Sequence, residues 1–316
     1  MTTFSFSTDA PLAVKAGVLI LPVFQGPEFG PGVKETGLEQ AYRDAKLTGK
    51  KGESLLVTKR NGDRFASDAV LLHGVGERRD FDVPTMRKAL GRVAPSIGRF
   101  GHAATTFSQA VQGDVGEVSQ AAAEGLGLGG YRFDRYKSTN DHKPLKKVTV
   151  LGGKADAKAG RKAVRSADVI VDAVAWARDL VNTPAGDMPP AELAREAQGM
   201  AKAEGLTCKV WTEAELKKRG FGGILGVGQG SVNPPRLIEL SYKGAGGSAP
   251  IALTGKGIAF DSGGLSIKDA KGMETMKIDM GGAASILATM KVIARLKPKI
   301  NVIAAIPSAE NMPGGA

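Results

Sequence analysis

Short apolar runs alternate with helical segments along this sequence, and the alternation restricts the folds that the chain can adopt. Longer segments with helical periodicity include Val115–Leu126 and Gly281–Leu296. Apolar runs of strand length occur at Val18–Phe24, Lys147–Leu151, Thr207–Trp211, Arg236–Tyr242, Pro250–Phe260 and Ile300–Pro307. Strands that alternate with helices predict an α/β fold with substantial parallel pairing.

The chain divides in sequence near its midpoint. Its 316 residues have the length of about two domains. Gly152–Lys158 is small and polar, as domain boundaries are, and a helical segment follows it. We predict a smaller N-terminal α/β domain over residues 1–158 and a connecting helix over residues 159–182. A second α/β domain, with a mixed and largely parallel sheet, is expected over residues 183–316.

Composition narrows the setting in which the protein works. Cys208 is the single cysteine, so an intrachain disulfide is impossible and a reducing compartment is indicated. The N-terminal residues do not have the pattern of a secretory signal, and the sequence contains no apolar stretch of membrane-spanning length. We therefore expect a cytoplasmic protein without a membrane partner.

The net charge of +11 is spread evenly along the chain. Evenly spread charge is typical of a solvated surface, and aromatic residues that could stack on bases make up only 5% of the chain. Nucleic-acid binding is left open by the charge but is not favoured.

Several catalytic signatures are excluded by their context. The glycines of Gly125–Gly130 match G-x-G-x-x-G, but they follow a helical stretch instead of a strand, so we predict a structural loop. The three histidines, His73, His102 and His142, lie far in sequence from any carboxylate cluster, and H-E-x-x-H is absent. A histidine-based zinc hydrolase is therefore not expected.

Residues 253–282 carry the densest chemical signal. Lys256 interrupts the apolar run 250–260, Asp261 follows that run directly, and Asp279 precedes a glycine pair and a helix. Alone, these residues would be a snorkelling lysine, a turn residue and a helix cap. Together, at the carboxyl end of a strand where α/β proteins bind ligands, they favour a site for a divalent cation.

This segment resembles the leucyl (cytosol) aminopeptidase family, the M17 metallopeptidases. Lys256 is followed by Asp261, Lys268 and Asp279 at the family's spacing of 5, 12 and 23 residues. The resemblance extends from about residue 180 onward. Further matching segments are Val181–Pro184, Gly226–Ser231, Asn233–Arg236, Gly255–Gly264, Ser266–Lys268 and Asp279–Ala284.

The resemblance implies a metal-dependent aminopeptidase that releases leucine-like N-terminal residues from peptides through a water activated by two divalent ions, Mn²⁺ or Zn²⁺. Lys256 and Asp279 would bind one ion, Asp261 would bridge both, and Lys268 would stabilise the oxyanion as the catalytic residue. Met273 and Met276 would line the substrate pocket, although core filling explains them equally well. The family also implies a homo-hexamer and, in the complete protein, a bound bicarbonate.

One family block is missing from the sequence. In the family, two further metal carboxylates come from a block resembling N-T-D-A-E-G-R, which this chain lacks. Ala309–Met312 resembles the family sequence directly before that block. Glu310 does not replace those ligands on motif grounds. We therefore expect a chain truncated within the catalytic domain, with weak metal binding and little or no turnover. The alternatives are a non-catalytic truncated homologue and a DNA-binding or regulatory protein with the same fold.

Overall fold

The chain forms two compact units in a computed structural model that describes residues 2–139 and 143–314. The units comprise residues 1–172 and 173–316. Among the three histidines, His142 lies outside the described residues.

The first unit is built on a seven-stranded sheet. The strands are β1 Thr3–Ser7, β2 Val18–Phe24, β3 Glu28–Phe29, β4 Ser54–Thr58, β5 Ala69–Gly76, β6 His102–Thr105 and β7 Lys147–Leu151. Their order is β1-β7-β6-β2-β5-β4, with β3 also paired to β2. Neighbouring strands from β1 to β5 in this order are parallel, whereas β4 is antiparallel to β5 and β3 is antiparallel to β2.

Every residue of β2 and β5 is buried, which explains why these strands are continuous apolar runs. One hydrophobic core packs the sheet against α3 and α4, and a second core includes residues of α1 and α2. The helices are α1 Val33–Thr36, α2 Glu39–Asp44, α3 Val83–Ile97, α4 Val115–Gly129 and α5 Ala157–Asn182, whose residues fall in both units. The predicted α/β class is confirmed.

The glycines of residues 125–130 do not form the predicted loop. Helix α4 continues through Gly129. Its glycines let α3 and α4 approach closely. A Cβ atom on Gly129 would lie 2.2 Å from the carbonyl oxygen of Gly91, and one on Gly125 would lie 2.7 Å from that of Arg87. The motif therefore serves helix packing.

His73 is buried in β5, and we predict that it makes the stability of the first unit pH-dependent. Burial, together with the charge of Arg92, lowers its pKa to about 4, and Ser54 Oγ lies 2.7 Å from its Nδ1. The unfolded state binds the proton more readily, so stability is complete above the unfolded pKa of about 6.5 and falls as pH drops toward 4. Between pH 7 and 5 the loss should be about 2 kcal/mol. Urea unfolding of wild type and His73→Leu measures it; equal pH slopes in both proteins would contradict this assignment.

The second unit has a smaller mixed sheet of order β10-β12-β9-β8, with β11 also paired to β12. β10 and β11 run parallel to β12, and β9 and β8 add antiparallel pairs. Its strands are β8 Thr207–Trp211, β9 Arg236–Lys243, β10 Ile251–Thr254, β11 Gly257–Asp261 and β12 Asn301–Asn311; its helices are α6 Pro190–Glu204, α7 Glu213–Lys218, α8 Gly222–Gly228, α9 Ala270–Met273 and α10 Gly281–Leu296.

The core of the second unit lies between this sheet and helices α6 and α10. Helix α10 forms as predicted, with Ser285 and Thr289 on its exposed face. The opposite face of the sheet carries a groove of about 520 Å³, lined by residues that include Lys209, Glu239 and Ile303.

Two predicted strand boundaries in the second unit are wrong. The run 250–260 forms two strands, which are separated by a break in the strand at Gly255 and Lys256. A Cβ on Gly255 would lie 2.5 Å from the carbonyl oxygen of Gly282, so the break lets the chain pass close to the start of α10. Strand β12 does not end at Pro307 but continues to Asn311. Within the described ranges, no helix is both long and apolar enough to cross a membrane.

Candidate metal centre

Four charged side chains meet at the carboxyl end of β11. Lys256 Nζ lies 2.8 Å from Asp279 Oδ1 and 3.2 Å from Asp261 Oδ2. Lys268 Nζ lies 3.0 Å from Asp279 Oδ2 and 3.5 Å from Asp261 Oδ2. Each lysine therefore contacts both aspartates, and we call these four residues the Lys–Asp quartet. The structure brings together all four residues that the sequence singled out for metal binding and catalysis.

A β-bulge lies between Lys256 and Asp261. Lys256 directly precedes β11, and Asp261 is the last residue of that strand. The pairing of β11 with β12 shifts between Ile258 and Phe260, so Ala259 is an extra residue in the ladder. An extra residue changes the face to which the following side chains point, and bulges are common next to functional sites.

Two glycines turn the chain back toward the strand end after Asp261. Gly263 and Gly264 have φ values of 91° and 64°, which favour glycine over residues with a side chain. A Cβ on Gly263 would also lie 2.3 Å from the carbonyl oxygen of Ser266. The turn is closed by the Lys268 N–H, which donates to the Ser262 carbonyl at 2.8 Å. This bond places Lys268 beside the aspartates.

Asp279 reaches the site from a short 3₁₀ helix, Met276–Met280, directly before α10. The start of α10 is fixed to the strand break, since the Ala283 N–H donates to the Lys256 carbonyl at 2.8 Å. Lys277 Nζ also donates to the carbonyl of Asn182 at 2.9 Å. Separate elements of the second unit thus deliver the two carboxylates to one point.

Asn311 was not among the predicted site residues. Its Nδ2 donates to Asp261 Oδ1 at 2.9 Å, and the Gly263 N–H donates to the same oxygen at 3.1 Å. The contact depends on the continuation of β12 past Pro307, which pairs Asn311 with Asp261 in register. A polar residue at the carboxyl end of a neighbouring strand is a signal that could have identified it.

The quartet shifts the ionisation of its own members. Partial burial raises the pKa of Asp261, but hydrogen bonds from Asn311 and Lys256 outweigh burial and lower it overall. Burial raises the pKa of Asp279 as well, but hydrogen bonds from Lys256 and Lys268 outweigh burial and lower this pKa overall. The hydrogen bond to Asp279 is the main cause that raises the pKa of Lys256 and also that of Lys268. The site therefore holds two carboxylates and two ammonium groups without added ligand.

The donor set fits a divalent cation in chemistry but is small. Among residues 2–139 and 143–314, no group of three or more His, Cys, Asp or Glu side chains could hold a metal ion. Lys256 would add an amine nitrogen to the Asp261 and Asp279 carboxylates, provided that its ammonium loses a proton, since metals bind the deprotonated ligand. Two carboxylates and an amine suit a hard or borderline divalent cation such as Mn²⁺ or Zn²⁺ and leave positions open.

Met273 and Met276 precede Asp279 in the same segment. Met273 ends α9, and Met276 begins the 3₁₀ helix. Both are partly exposed, whereas the neighbouring Met280 is 1% exposed and belongs to the core. Their positions are compatible with a substrate-facing role.

Glu310 serves a different contact. The residue is 6% exposed, and its carboxylate accepts hydrogen bonds from Ser231 Oγ and from Asn233 Nδ2, the latter at 3.0 Å. It therefore ties the segment after α8 to β12 and does not join the quartet.

A lysine–carboxylate cluster at the strand ends of an α/β unit defines a candidate metal centre, and comparisons with known proteins give its family. Residues 175–316 match the catalytic domain of the cytosol aminopeptidase family, and residues 20–140 match its N-terminal domain. The chain belongs to the cytosol aminopeptidase family.

Relatives of known name have similar sequences and structures. A probable cytosol aminopeptidase of Rhodococcus jostii is 41% identical over 300 residues, covering 91% of this chain and 58% of the relative. One from Streptomyces coelicolor is 36% identical, covering 100% of this chain and 66% of the relative. The solved structure of the bottromycin maturation enzyme BotP in complex with Mn has a TM-score of 0.80 and 31% identity, covering 95% of this chain and 61% of that one. The chain thus spans about three fifths of these proteins.

Proposed function

We propose that the Lys–Asp quartet is part of the active site of a metal-dependent aminopeptidase that cleaves N-terminal residues from peptides. The observation that carries the proposal is the meeting of Lys256, Asp261 and Asp279 beside a second lysine, Lys268. Family membership supports a peptidase, and the Mn in the BotP structure supports a metal.

Each member of the quartet has a distinct proposed role. Lys256, Asp261 and Asp279 would hold a divalent cation, which when bound polarises a peptide carbonyl and lowers the pKa of a water molecule. Asp261 presents Oδ2 toward both lysines. Lys268 is not among the proposed ligands, so it would keep its proton and donate a charge-assisted hydrogen bond to the oxyanion that forms during hydrolysis.

Finer features rest on resemblance. We propose a preference for leucine-like residues, with Met273 and Met276 lining their pocket, two ions of Mn²⁺ or Zn²⁺, and bicarbonate in the complete protein. We also propose a homo-hexamer and a cytoplasmic location, which the word cytosol in the relatives' names supports.

The 316-residue chain by itself should hydrolyse leucyl p-nitroanilide slowly, because three protein donors make a partial site for two ions. The assay compares this substrate with its N-acetylated form in the presence of Mn²⁺ or Zn²⁺, and again after chelation. The expected result is a low rate that needs metal and a free α-amine. Equal cleavage of the blocked substrate, or a rate unaffected by chelation, would contradict the proposed function; rapid metal-dependent cleavage would contradict the expected weakness.

A further inference from the structure

The two oxygens of the Asp261 carboxylate have different environments. Oδ1 accepts hydrogen bonds from Asn311 Nδ2 at 2.9 Å and from the Gly263 N–H at 3.1 Å. Oδ2 faces Lys256 Nζ at 3.2 Å and Lys268 Nζ at 3.5 Å. One oxygen is therefore occupied by neutral donors, and the other is directed at the centre of the quartet.

We propose that Asn311 is a positioning residue that fixes the Asp261 carboxylate and so determines which oxygen is offered to a cation. The terminal torsion of an aspartate is broad, so a carboxylate without fixed partners can rotate about it. Donors on Oδ1 remove this freedom and leave Oδ2 as the ligand. Hydrogen-bond partners of metal-binding carboxylates typically change affinity by about 10- to 100-fold. The inference rests on the proposed function, since it assumes a cation at the quartet.

The main chain of Asn311 is itself held in place. It pairs in register with Asp261, and its main-chain carbonyl accepts hydrogen bonds from Ser262 N at 3.0 Å and Ser262 Oγ at 2.7 Å. Gly264 leaves room for the side chain, because a Cβ there would lie 2.6 Å from Asn311 Oδ1. The end of β12 and the turn after β11 are thus built around this amide.

Asn301 provides a matched control on the same strand. It lies at the opposite end of β12, where its Oδ1 accepts hydrogen bonds from Gly244 N at 3.1 Å and Ala245 N at 3.0 Å. Its Nδ2 donates to the Ser248 carbonyl at 2.8 Å. Both asparagines therefore connect β12 to a neighbouring turn, but only the contacts of Asn311 include a quartet residue. A structural role alone predicts similar consequences for the two.

The test is Mn²⁺ binding by the full 316-residue chain, measured by the EPR signal of free Mn²⁺ at roughly pH 8, where proton loss from a lysine ligand is easier. Asn311→Ala should weaken binding by about 10- to 100-fold. Asn301→Ala should bind as wild type does, although thermal melting temperatures are expected to fall in both variants. Asn311→Gln keeps the amide but displaces it, so it should lose affinity in the same way and serves if the alanine variant does not fold.

The outcomes separate this inference from the proposed function. If wild type binds Mn²⁺ and the Asn311 variants bind it equally well, Asn311 does not position Asp261, and the metal centre stands without it. Equal losses in the Asn301 and Asn311 variants would reduce Asn311 to a structural residue. If wild type itself binds no Mn²⁺, the proposed metal centre fails and takes this inference with it.

Discussion

Asp279→Asn is expected to weaken Mn²⁺ binding by at least about 100-fold. Asp279 is a proposed cation ligand that contacts both lysines, with its two oxygens 2.8 and 3.0 Å from their Nζ atoms. Two unit charges about 4 Å apart interact by about 4 kcal/mol at an effective dielectric of about 20, which corresponds to more than 100-fold in affinity. Neutralising Asp279 removes this attraction. Asp261 is then the one remaining carboxylate of the quartet, and both lysines lie beside it.

The matched control for this substitution is Asp269→Asn. Asp269 lies in the same segment, but its carboxylate accepts a hydrogen bond from Gly272 N at the start of α9. Asparagine caps helices about as well as aspartate, so the fold should be preserved. Isothermal titration with Mn²⁺ should give near wild-type affinity for Asp269→Asn. Comparable losses in both variants would mean that general surface charge, and not the quartet, attracts the cation.

Lys268→Ala is expected to lower kcat by about 100- to 1,000-fold and to leave Mn²⁺ binding intact. Loss of one preorganised oxyanion donor typically has this effect on catalysis. Cation binding should persist, because removing Lys268 takes a positive charge away from Asp279 and Asp261. The kinetic effect is best measured in a chimera that joins this chain to the part of the Rhodococcus jostii relative outside the matched region.

Lys271→Ala is the control for the catalytic role. Lys271 is an exposed lysine on α9, three residues after Lys268. Its replacement should leave kcat and KM close to those of the unmodified chimera. If Lys268→Ala raises KM alone, Lys268 holds substrate without stabilising the transition state. If it abolishes Mn²⁺ binding, Lys268 belongs to the structure of the metal site.

Local patterns in the sequence predict local structure well. The residues 212–215 have the sequence pattern of a capping box. At the start of α7, Glu215 N donates to Thr212 Oγ1 and Thr212 N donates to Glu215 Oε2, so the box forms. The glycine-rich residues 125–130 were mispredicted because their role is set by distance to another helix, α3, which lies outside the local pattern. The α/β class followed from alternation over the whole chain and did not depend on any one boundary.

The candidate site was predictable in its members but not in its geometry. Spacing and resemblance identified Lys256, Asp261, Lys268 and Asp279. Nothing in the local sequence indicates the β-bulge at Ala259, which depends on the pairing of β11 with β12. The apolar run Ile300–Pro307 predicted a last strand that ends at Pro307. The pairing of residues 257–261 with 308–311 carries β12 onward and brings Asn311 to the site, a long-range contact that no local pattern contains.

Anomalous diffraction from a Mn²⁺-soaked crystal of the 316-residue chain tests the proposed metal centre most directly. A peak in the anomalous difference map should lie within bonding distance of Lys256 Nζ, Asp261 Oδ2 and an oxygen of Asp279, and it should be missing from crystals of Asp279→Asn soaked in the same way. A Mn²⁺ peak at another position, with the four side chains still in mutual contact and none between them, would contradict the metal centre proposed for this protein.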